Sequence, residues 1–223
     1  MTARELASMI DHTVLKTDAV TADVEKICRE ALEYGFCSVC VNPVFVSYCA
    51  NVLKGSMVKV CTVIGFSLGA CRSDVKIFET ERAVFDGADE IDMVIPVYAV
   101  KAGDRAAVQR EIEAIKKICG SNTLKVILET CLLSDDEIVC CCKDAERAGA
   151  DFVKTSTGFS TGGAEERIVR LMRDSCGPDM KIKASGGIRD LDTAVKMIKA
   201  GADRLGTSRS SDIIKEMQQE GKK

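Results

Sequence analysis

The sequence lacks the features that mark membrane, secreted and nucleic-acid-binding proteins. It has no apolar run near the roughly 18 residues of a spanning helix, and its first residues lack the apolar core of a signal peptide. It also has no basic stripe, because 31 Lys and Arg residues are interspersed with 34 Asp and Glu residues. A nucleic-acid partner is therefore unexpected. We expect a cytoplasmic protein that binds neither membranes nor nucleic acid.

Histidine is scarce, which limits metal chemistry. His12 is the only histidine in 223 residues, so a catalytic metal held by several histidines is excluded. The twelve cysteines have no secretory signal beside them and are expected to be free thiols. Cys37 and Cys40 have C-x-x-C spacing, but they lie in a predicted strand and face opposite sides. Residues 140–142 are consecutive cysteines on a predicted helix and point in three directions, so we expect no zinc site.

No stretch rich in proline and glycine is present to link two domains, and the chain is short for two enzyme-sized ones. Short apolar runs instead alternate with segments of helical period. Eight runs are predicted strands, at residues 9–13, 37–42, 58–65, 90–95, 125–129, 152–156, 181–185 and 203–207. Eight such units favour parallel pairing and closure into one α/β domain over residues 1–223, a TIM or (β/α)8 barrel.

The segments between the strands carry helix start and stop signals. Helices are predicted over 22–34, 44–54, 74–86, 105–119, from a capping box at Ser134–Glu137 to Gly149, and over about 164–175, 191–200 and 210–219. Gly-Ala-Asp recurs at 87–89, 149–151 and 201–203, where glycine supplies a left-handed helix stop and aspartate precedes the next strand. No helix surface shows an apolar stripe that we assign to a subunit contact.

Charged residues inside the predicted strands are the first candidates for chemistry, since a charge buried between two covered faces must be paired or neutralised. Lys154 and Lys183 lie in adjacent strands, so their ammonium groups are expected to meet. Like charge and desolvation should then lower the pKa of at least one of them, as a lysine nucleophile requires. The structural alternative is that each lysine pairs with an acidic neighbour or a phosphate.

Asp92 is a carboxylate in an apolar strand, where it could move protons or form a structural ion pair. Residues 11–13 at the first strand could orient a substrate or cap a loop. Two glycine turns follow the last two strands, at Gly186–Arg189 and Gly206–Ser210. Backbone N–H groups at a helix start, hydroxyls and arginine favour an anion, and these two loops hold phosphate in many such barrels.

With these motifs in place, the chain resembles the deoxyribose-phosphate aldolases, a class I, Schiff-base family, from about residue 9 to residue 210. The resemblance implies reversible cleavage of 2-deoxy-D-ribose 5-phosphate to D-glyceraldehyde 3-phosphate and acetaldehyde, without metal or organic cofactor. A homodimer or higher homo-oligomer is expected from the resemblance alone. Seven motifs carry it in the family's order: Ile10-Asp-His-Thr13 with Leu15-Lys16, Val39-Cys-Val-Asn-Pro43, Val63-Ile-Gly-Phe66, Glu90-Ile-Asp-Met-Val94, Val153-Lys-Thr-Ser-Thr-Gly158, Lys183-Ala-Ser-Gly-Gly-Ile-Arg189 and Gly206-Thr-Ser208.

The resemblance also implies roles for individual residues. Lys154 would form the Schiff base, Lys183 would perturb it, and Asp92 would join Lys183 in a water-assisted proton relay. Substrate contacts are expected from Asp11, Thr13, Cys40, Asn42 and Thr157. Phosphate contacts are expected from Gly158, Gly186, Gly187, Arg189, Gly206, Ser208 and Arg209.

Three positions depart from the family pattern. Ser67 stands where proline is frequent, Phe159 where some members have lysine, and Arg209 where many have a small residue. Two rival functions remain open: another phosphosugar enzyme on this fold, such as a different Schiff-base aldolase, a transaldolase or an isomerase, and a silent phosphate-binding sensor or scaffold. The intact set of Lys154, Lys183 and Asp92 disfavours the silent barrel.

Overall fold

Eight parallel strands close into a barrel in chain order, which confirms the predicted (β/α)8 fold. The computed structural model describes residues 1–220, so residues 221–223 of the predicted domain lie outside the described residues. The strands are β1 (Ile10–Val14), β2 (Ser38–Val41), β3 (Lys59–Ile64), β4 (Glu90–Val94), β5 (Thr123–Ile127), β6 (Phe152–Lys154), β7 (Lys181–Ser185) and β8 (Arg204–Thr207). β8 pairs with β1 and completes the closure.

Helices surround the barrel and follow the predicted alternation. They are α1 (Ala3–Ala7), α2 (Thr21–Tyr34), α3 (Val46–Val52), α4 (Ser73–Phe85), α5 (Val97–Lys101), α6 (Arg105–Cys119), α7 (Asp135–Arg147), α8 (Glu166–Ser175), α9 (Leu191–Lys199) and α10 (Ser210–Glu220). The capping box predicted at Ser134–Glu137 is present. No helix of residues 1–220 is long and apolar enough to cross a membrane.

Some predicted boundaries were wrong. The helix expected over 44–54 begins as a 3-10 turn at Pro43–Phe45 and is α-helical only from Val46. The strand expected over 125–129 starts and ends two residues earlier. Its end precedes Glu129, which adopts a left-handed backbone conformation that does not continue the strand. The short helices α1 and α5 were not predicted.

The Gly-Ala-Asp repeat joins helices to strands at the amino-terminal end of the barrel. Its glycines, at 87, 149 and 201, have φ of 103°, 79° and 111°, where a Cβ would be strained. Each aspartate accepts a backbone N–H from the preceding strand at 2.7–2.8 Å. The module therefore ties successive strands together at the end of the barrel that usually serves stability.

Apolar residues fill the space between the barrel and the helices, whereas charged residues fill much of the lumen. A buried ion pair also lies outside the lumen, between α4 and α6. Lys76 Nζ lies 2.5 Å from Glu111 Oε1 and 2.9 Å from the carbonyl oxygen of Val94, at the end of β4. Glu111 also accepts the hydroxyl of Ser73 at 2.5 Å. The pair thus fixes α4 and α6 against the carboxyl end of a strand that carries Asp92.

Lys76→Met should destabilise the protein by about 3–5 kcal/mol, because it leaves the Glu111 carboxylate buried without its counter-ion. The double variant Lys76→Met/Glu111→Leu should recover most of that loss, since no buried charge remains. Urea unfolding of the two variants and wild type measures the difference. Equal stability of the single variant and wild type would contradict a paired, desolvated contact.

Candidate active site

A cavity of about 270 Å³ opens at the carboxyl ends of the strands, the end at which barrel enzymes place their reactive groups. Its floor includes Lys154 from β6, and its walls come from the loops after β1, β6, β7 and β8. Nine residues predicted from the sequence line it: Thr13, Lys154, Thr157, Gly158, Gly186, Gly187, Arg189, Gly206 and Ser208. Lys16 and Phe159 line the same cavity.

Lys154 forms an ion pair with a buried aspartate, Asp92, which also contacts Lys183. Asp92 Oδ2 lies 2.7 Å from Lys154 Nζ and 2.7 Å from Lys183 Nζ. The strand register explains this meeting: Lys154 is paired with Lys183, while Asp92 lies two strands away, beside Lys125. Lys154, Lys183 and Asp92 are at most 3% exposed. The structure therefore brings together the three residues of the predicted catalytic set.

Four further charged residues extend this group toward the bottom of the barrel. Lys125 Nζ lies 2.6 Å from Glu90 and 2.8 Å from Asp92, and Lys183 Nζ lies 2.5 Å from Asp11. Arg204 binds Asp11 at 2.6 Å and Glu90 at 3.2 Å. The sequence analysis assigned no role to Lys125, Glu90 or Arg204, although the first two showed the same signal as Lys154, a charge within an apolar strand.

The sequence predicts a lowered pKa for at least one of Lys154 and Lys183, and Lys183 does not have one. Burial alone would lower the pKa of its ammonium, but the carboxylates of Asp11 and Asp92 outweigh burial and raise it. Burial would likewise raise the pKa of Asp92, yet the ammonium groups of Lys125, Lys154 and Lys183 hold that pKa well below its usual range. Carboxylates separate the lysines, so Lys183 is a stable cation and Asp92 a stable anion.

Four predicted contact residues do not line the cavity. Asp11 and Cys40 are fully buried in the lumen below it, and Asp11 is bound to Ser38, Lys183 and Arg204. Asn42 donates to the carbonyl oxygen of Lys16 at 3.4 Å, so it supports the loop after β1. Arg209 pairs with Asp212 at 3.0 Å and lines a neighbouring cavity.

The lumen contains two sets of side chains whose potential metal ligands lie within 4.8 Å of one another: Cys40, Cys61 and Asp92, and Asp11, Cys61 and Glu90. Lysine ammonium groups already contact all three carboxylates. Burial raises the pKa of Cys61 well above its usual value, and contact with Cys40 raises it further. Both sets therefore contain a protonated thiol and carboxylates that lysines already neutralise.

Two threonines shape the loops around the cavity in the same way. The Thr157 hydroxyl accepts the N–H of Phe159 at 3.1 Å, and the Thr207 hydroxyl accepts the N–H of Arg209 at 3.0 Å. The middle residue of each turn, Gly158 or Ser208, lines the cavity. The rings of Phe66 and Phe159 form a T-shaped pair with centroids 5.2 Å apart. An aromatic pair thus stands where some relatives of the resembled family have a lysine.

The parallel barrel and its buried, cavity-facing lysine define a class: barrel enzymes that act on carbonyl compounds through a lysine amine. The chain belongs to the DeoC/LacD family of aldolases, whose family model matches residues 6–215. The match covers all eight strands.

The similarity to individual relatives extends over nearly the whole chain. A deoxyribose-phosphate aldolase of Clostridium perfringens is 54% identical over 214 residues, covering 96% of each chain. Deoxyribose-phosphate aldolase 1 of Bacillus licheniformis is 53% identical and covers 95% of this chain and 96% of its own. Among solved structures, the tetrameric deoxyribose phosphate aldolase from Aeropyrum pernix has a TM-score of 0.91 at 36% identity, covering 97% of this chain and 92% of its own.

Proposed function

We propose that the protein reversibly cleaves 2-deoxy-D-ribose 5-phosphate to D-glyceraldehyde 3-phosphate and acetaldehyde through an imine on Lys154. The single observation that carries this proposal is the position of Lys154. It is the lumen cation that reaches the cavity, and Asp92 is its one ion-pair partner among the described residues.

The charge balance of the lumen supports Lys154 as the nucleophile. Three carboxylates, of Asp11, Glu90 and Asp92, face four cations, of Lys125, Lys154, Lys183 and Arg204. Each of the other three cations contacts two or more of these carboxylates. Lys154 contacts only one of these carboxylates, that of Asp92, so it is the lumen lysine with the fewest ion-pair partners. A lysine amine is also the group that attacks a carbonyl.

The imine makes carbon–carbon cleavage possible because it accepts an electron pair. Lys154 Nζ attacks the C1 carbonyl of the open sugar, and loss of water gives the protonated imine. When the C3 hydroxyl loses its proton, the C2–C3 bond breaks; its electron pair forms a neutral enamine, and C3 becomes the aldehyde of glyceraldehyde 3-phosphate. Protonation of the enamine and hydrolysis then release acetaldehyde and regenerate the amine.

Asp92 and Lys183 are the proposed proton relay in these steps. Asp92 Oδ2 accepts from both lysine ammonium groups at 2.7 Å, so a proton can pass between them through one oxygen. Asp11 and Asp92 both contact the Lys183 ammonium, which holds it beneath the reacting nitrogen. We assign the pair to the relay and leave covalent chemistry to Lys154.

The phosphate would lie between the loops after β6, β7 and β8. Gly158, Gly186, Gly187, Gly206 and Ser208 bring backbone close to the cavity, and Arg189 supplies a cation at its wall. Bare backbone and an arginine are suited to a phosphate dianion. Arg209 is directed to Asp212 instead and is not part of this proposed set.

An assay that follows glyceraldehyde 3-phosphate release from 2-deoxyribose 5-phosphate tests the proposed reaction. We expect turnover in a metal-free buffer containing a chelator, with no added organic cofactor. Transfer of a dihydroxyacetone unit, or isomerisation of the sugar without cleavage, would favour the other phosphosugar enzymes. Phosphate binding without turnover would indicate a silent barrel.

We also propose a cytoplasmic location and a homo-oligomer. All twelve cysteines are free, as expected in a reducing compartment. An apolar stripe that we did not predict lies along α4, where Val75, Phe78 and Phe85 are 51%, 63% and 77% exposed. The stripe follows helical spacing on one face, and large exposed aromatic residues are typical of subunit contacts. A second copy of the chain is its proposed partner.

The double variant Phe78→Glu/Phe85→Glu should dissociate the oligomer, because each copy would bury two carboxylates at the contact. Light scattering after size exclusion should show the mass of one chain, against a multiple for wild type. Val20→Glu, at an exposed apolar residue preceding α2, is the control and should leave the wild-type mass unchanged. An unchanged mass for the double variant would place the contact elsewhere.

A further inference from the structure

Glu129 has a backbone conformation that is unfavourable for its residue type. It follows β5 with φ 55° and ψ 61°, and it is the one non-glycine residue of residues 1–220 with a positive φ. A side chain in this region costs roughly 1 kcal/mol, and such conformations persist where surrounding contacts enforce them. Contacts of the Glu129 side chain are therefore expected to offset this backbone strain.

The Glu129 side chain is also unusual, since it is a buried carboxylate without a counter-ion. It is 3% exposed, and no Lys, Arg or His of the described residues forms a salt bridge with it. Its close polar partner is Thr157: the Thr157 N–H lies 3.2 Å from Oε1, and the Thr157 hydroxyl donates to Oε2. The Cys131 thiol is a distant contact, at 4.0 Å. Burying a carboxylate is costly, and the close hydrogen bonds that this one forms are both with Thr157.

That threonine controls a backbone N–H at the cavity. The Thr157 hydroxyl donates its hydrogen bond to Glu129. Its oxygen therefore accepts the N–H of Phe159, at 3.1 Å. The resulting turn leaves Gly158 between them at φ 84°, lining the cavity. The Gly158 N–H has no acceptor among the described residues.

The turn after β8 shows the same arrangement with a different acceptor. There the Thr207 hydroxyl donates to the carbonyl oxygen of Ile188 at 2.6 Å and accepts the N–H of Arg209. The N–H of Ser208, the middle residue, is likewise without an acceptor among residues 1–220. The two turns thus leave two N–H groups without acceptors at residues that line one cavity, and free backbone N–H groups are suited to an anion.

We propose that Glu129 is a positioning residue that fixes the Thr157–Phe159 turn and thereby directs the Gly158 N–H to the phosphate of the substrate. The assignment of that phosphate rests on the proposed function. Glu129 does not line the substrate cavity, so its proposed effect on the substrate passes through Thr157. It takes the place that the Ile188 carbonyl has in the second turn, and it binds the Thr157 N–H as well.

Glu129→Gly separates this role from the backbone conformation, because glycine adopts φ 55° without strain. The variant lacks the carboxylate but has no backbone strain at position 129, so it should fold. Glu129→Gln is the conservative partner, since its amide oxygen can still accept one of the two hydrogen bonds from Thr157. The two variants are compared with wild type on 2-deoxyribose 5-phosphate and on 2-deoxyribose.

We expect Glu129→Gly to lower kcat/KM for the phosphate ester by about tenfold, mainly through KM, which is the effect of one weakened hydrogen bond to a charged group. For 2-deoxyribose the change should be less than about twofold, because no phosphate contact is lost. Glu129→Gln should lie between Glu129→Gly and wild type. An equal loss on both sugars, or no loss on either, would overturn the proposal.

Inorganic phosphate tests the same role without catalysis. Calorimetric titration should give an affinity about tenfold weaker for Glu129→Gly than for wild type, and equal affinities would overturn the proposal. If wild type binds phosphate but does not cleave the sugar, the proposed function fails while the comparison of affinities still decides the role of Glu129. If wild type binds no phosphate, the positioning role fails whatever the sugar assay gives.

Discussion

Lys154→Arg should lower kcat/KM for 2-deoxyribose 5-phosphate cleavage by at least about four orders of magnitude, the scale on which loss of a covalent nucleophile acts. Arginine keeps a cation against Asp92, which retains the ion pair that Lys154 makes, so the barrel should fold. Its guanidinium stays protonated and does not form the imine. Coupled kinetic assays with matched circular dichroism spectra measure both effects.

Lys181→Arg is the matched control for that variant. Lys181 lies two residues before Lys183 on β7, is exposed and has its Nζ over the ring of Phe152, 5.6 Å from the centroid. Replacing it with arginine changes a strand lysine in the same way but at the opposite end of the barrel, so activity should stay within twofold of wild type. Activity of Lys154→Arg within tenfold of wild type would remove Lys154 from the covalent role.

Asp92→Asn should impair both activity and stability. The carboxylate holds three ammonium groups, with Lys125, Lys154 and Lys183 at 2.7–2.8 Å. Without its charge the lumen carries two excess cations, and we expect a loss of about 3–5 kcal/mol in the free energy of unfolding. Loss of the proton relay should lower kcat by about 10²–10⁴-fold. Stopped assays and urea unfolding at pH 7 measure the two losses.

The stability loss of Asp92→Asn should depend on pH in a defined direction. Because the lysines lower the pKa of Asp92 in the folded protein, its contribution is present above the unfolded pKa of about 3.9 and is lost as pH falls through the folded value. The difference between wild type and variant should therefore stay constant from about pH 5 to pH 8 and shrink below about pH 4. A difference that grows in acid would contradict an ionised Asp92. Asp212→Asn, at an exposed surface pair, should show almost no difference at any pH.

Much of the fold could be predicted because its signals are local. Each strand was an apolar run, and each Gly-Ala-Asp step combined a left-handed glycine with an aspartate that holds the preceding strand. Boundaries failed where a tertiary contact decided the backbone conformation. Glu129 leaves the strand because its carboxylate reaches Thr157, 28 residues later, and no pattern around Glu129 indicates that partner.

The catalytic set could be located for a related reason, since a lysine or aspartate inside an apolar strand stands out in the sequence. Its electrostatics could not be predicted, because the sign of a pKa shift depends on which side chains lie between the lysines. Asp11, which is 172 residues from Lys183, approaches it only because β8 closes against β1. The prediction that the pKa of at least one of the two lysines is lowered did not include that carboxylate, and the pKa of Lys183 is raised instead.

The most direct test of the account is to identify the lysine that forms an imine. The protein is incubated with acetaldehyde, reduced with borohydride and mapped by peptide mass spectrometry, with Lys154→Ala in parallel. The account predicts a mass increase of one reduced ethylidene group on the peptide containing Lys154 and none in the variant. An adduct on Lys125 or Lys183 in the native enzyme, or no adduct at all, would contradict it.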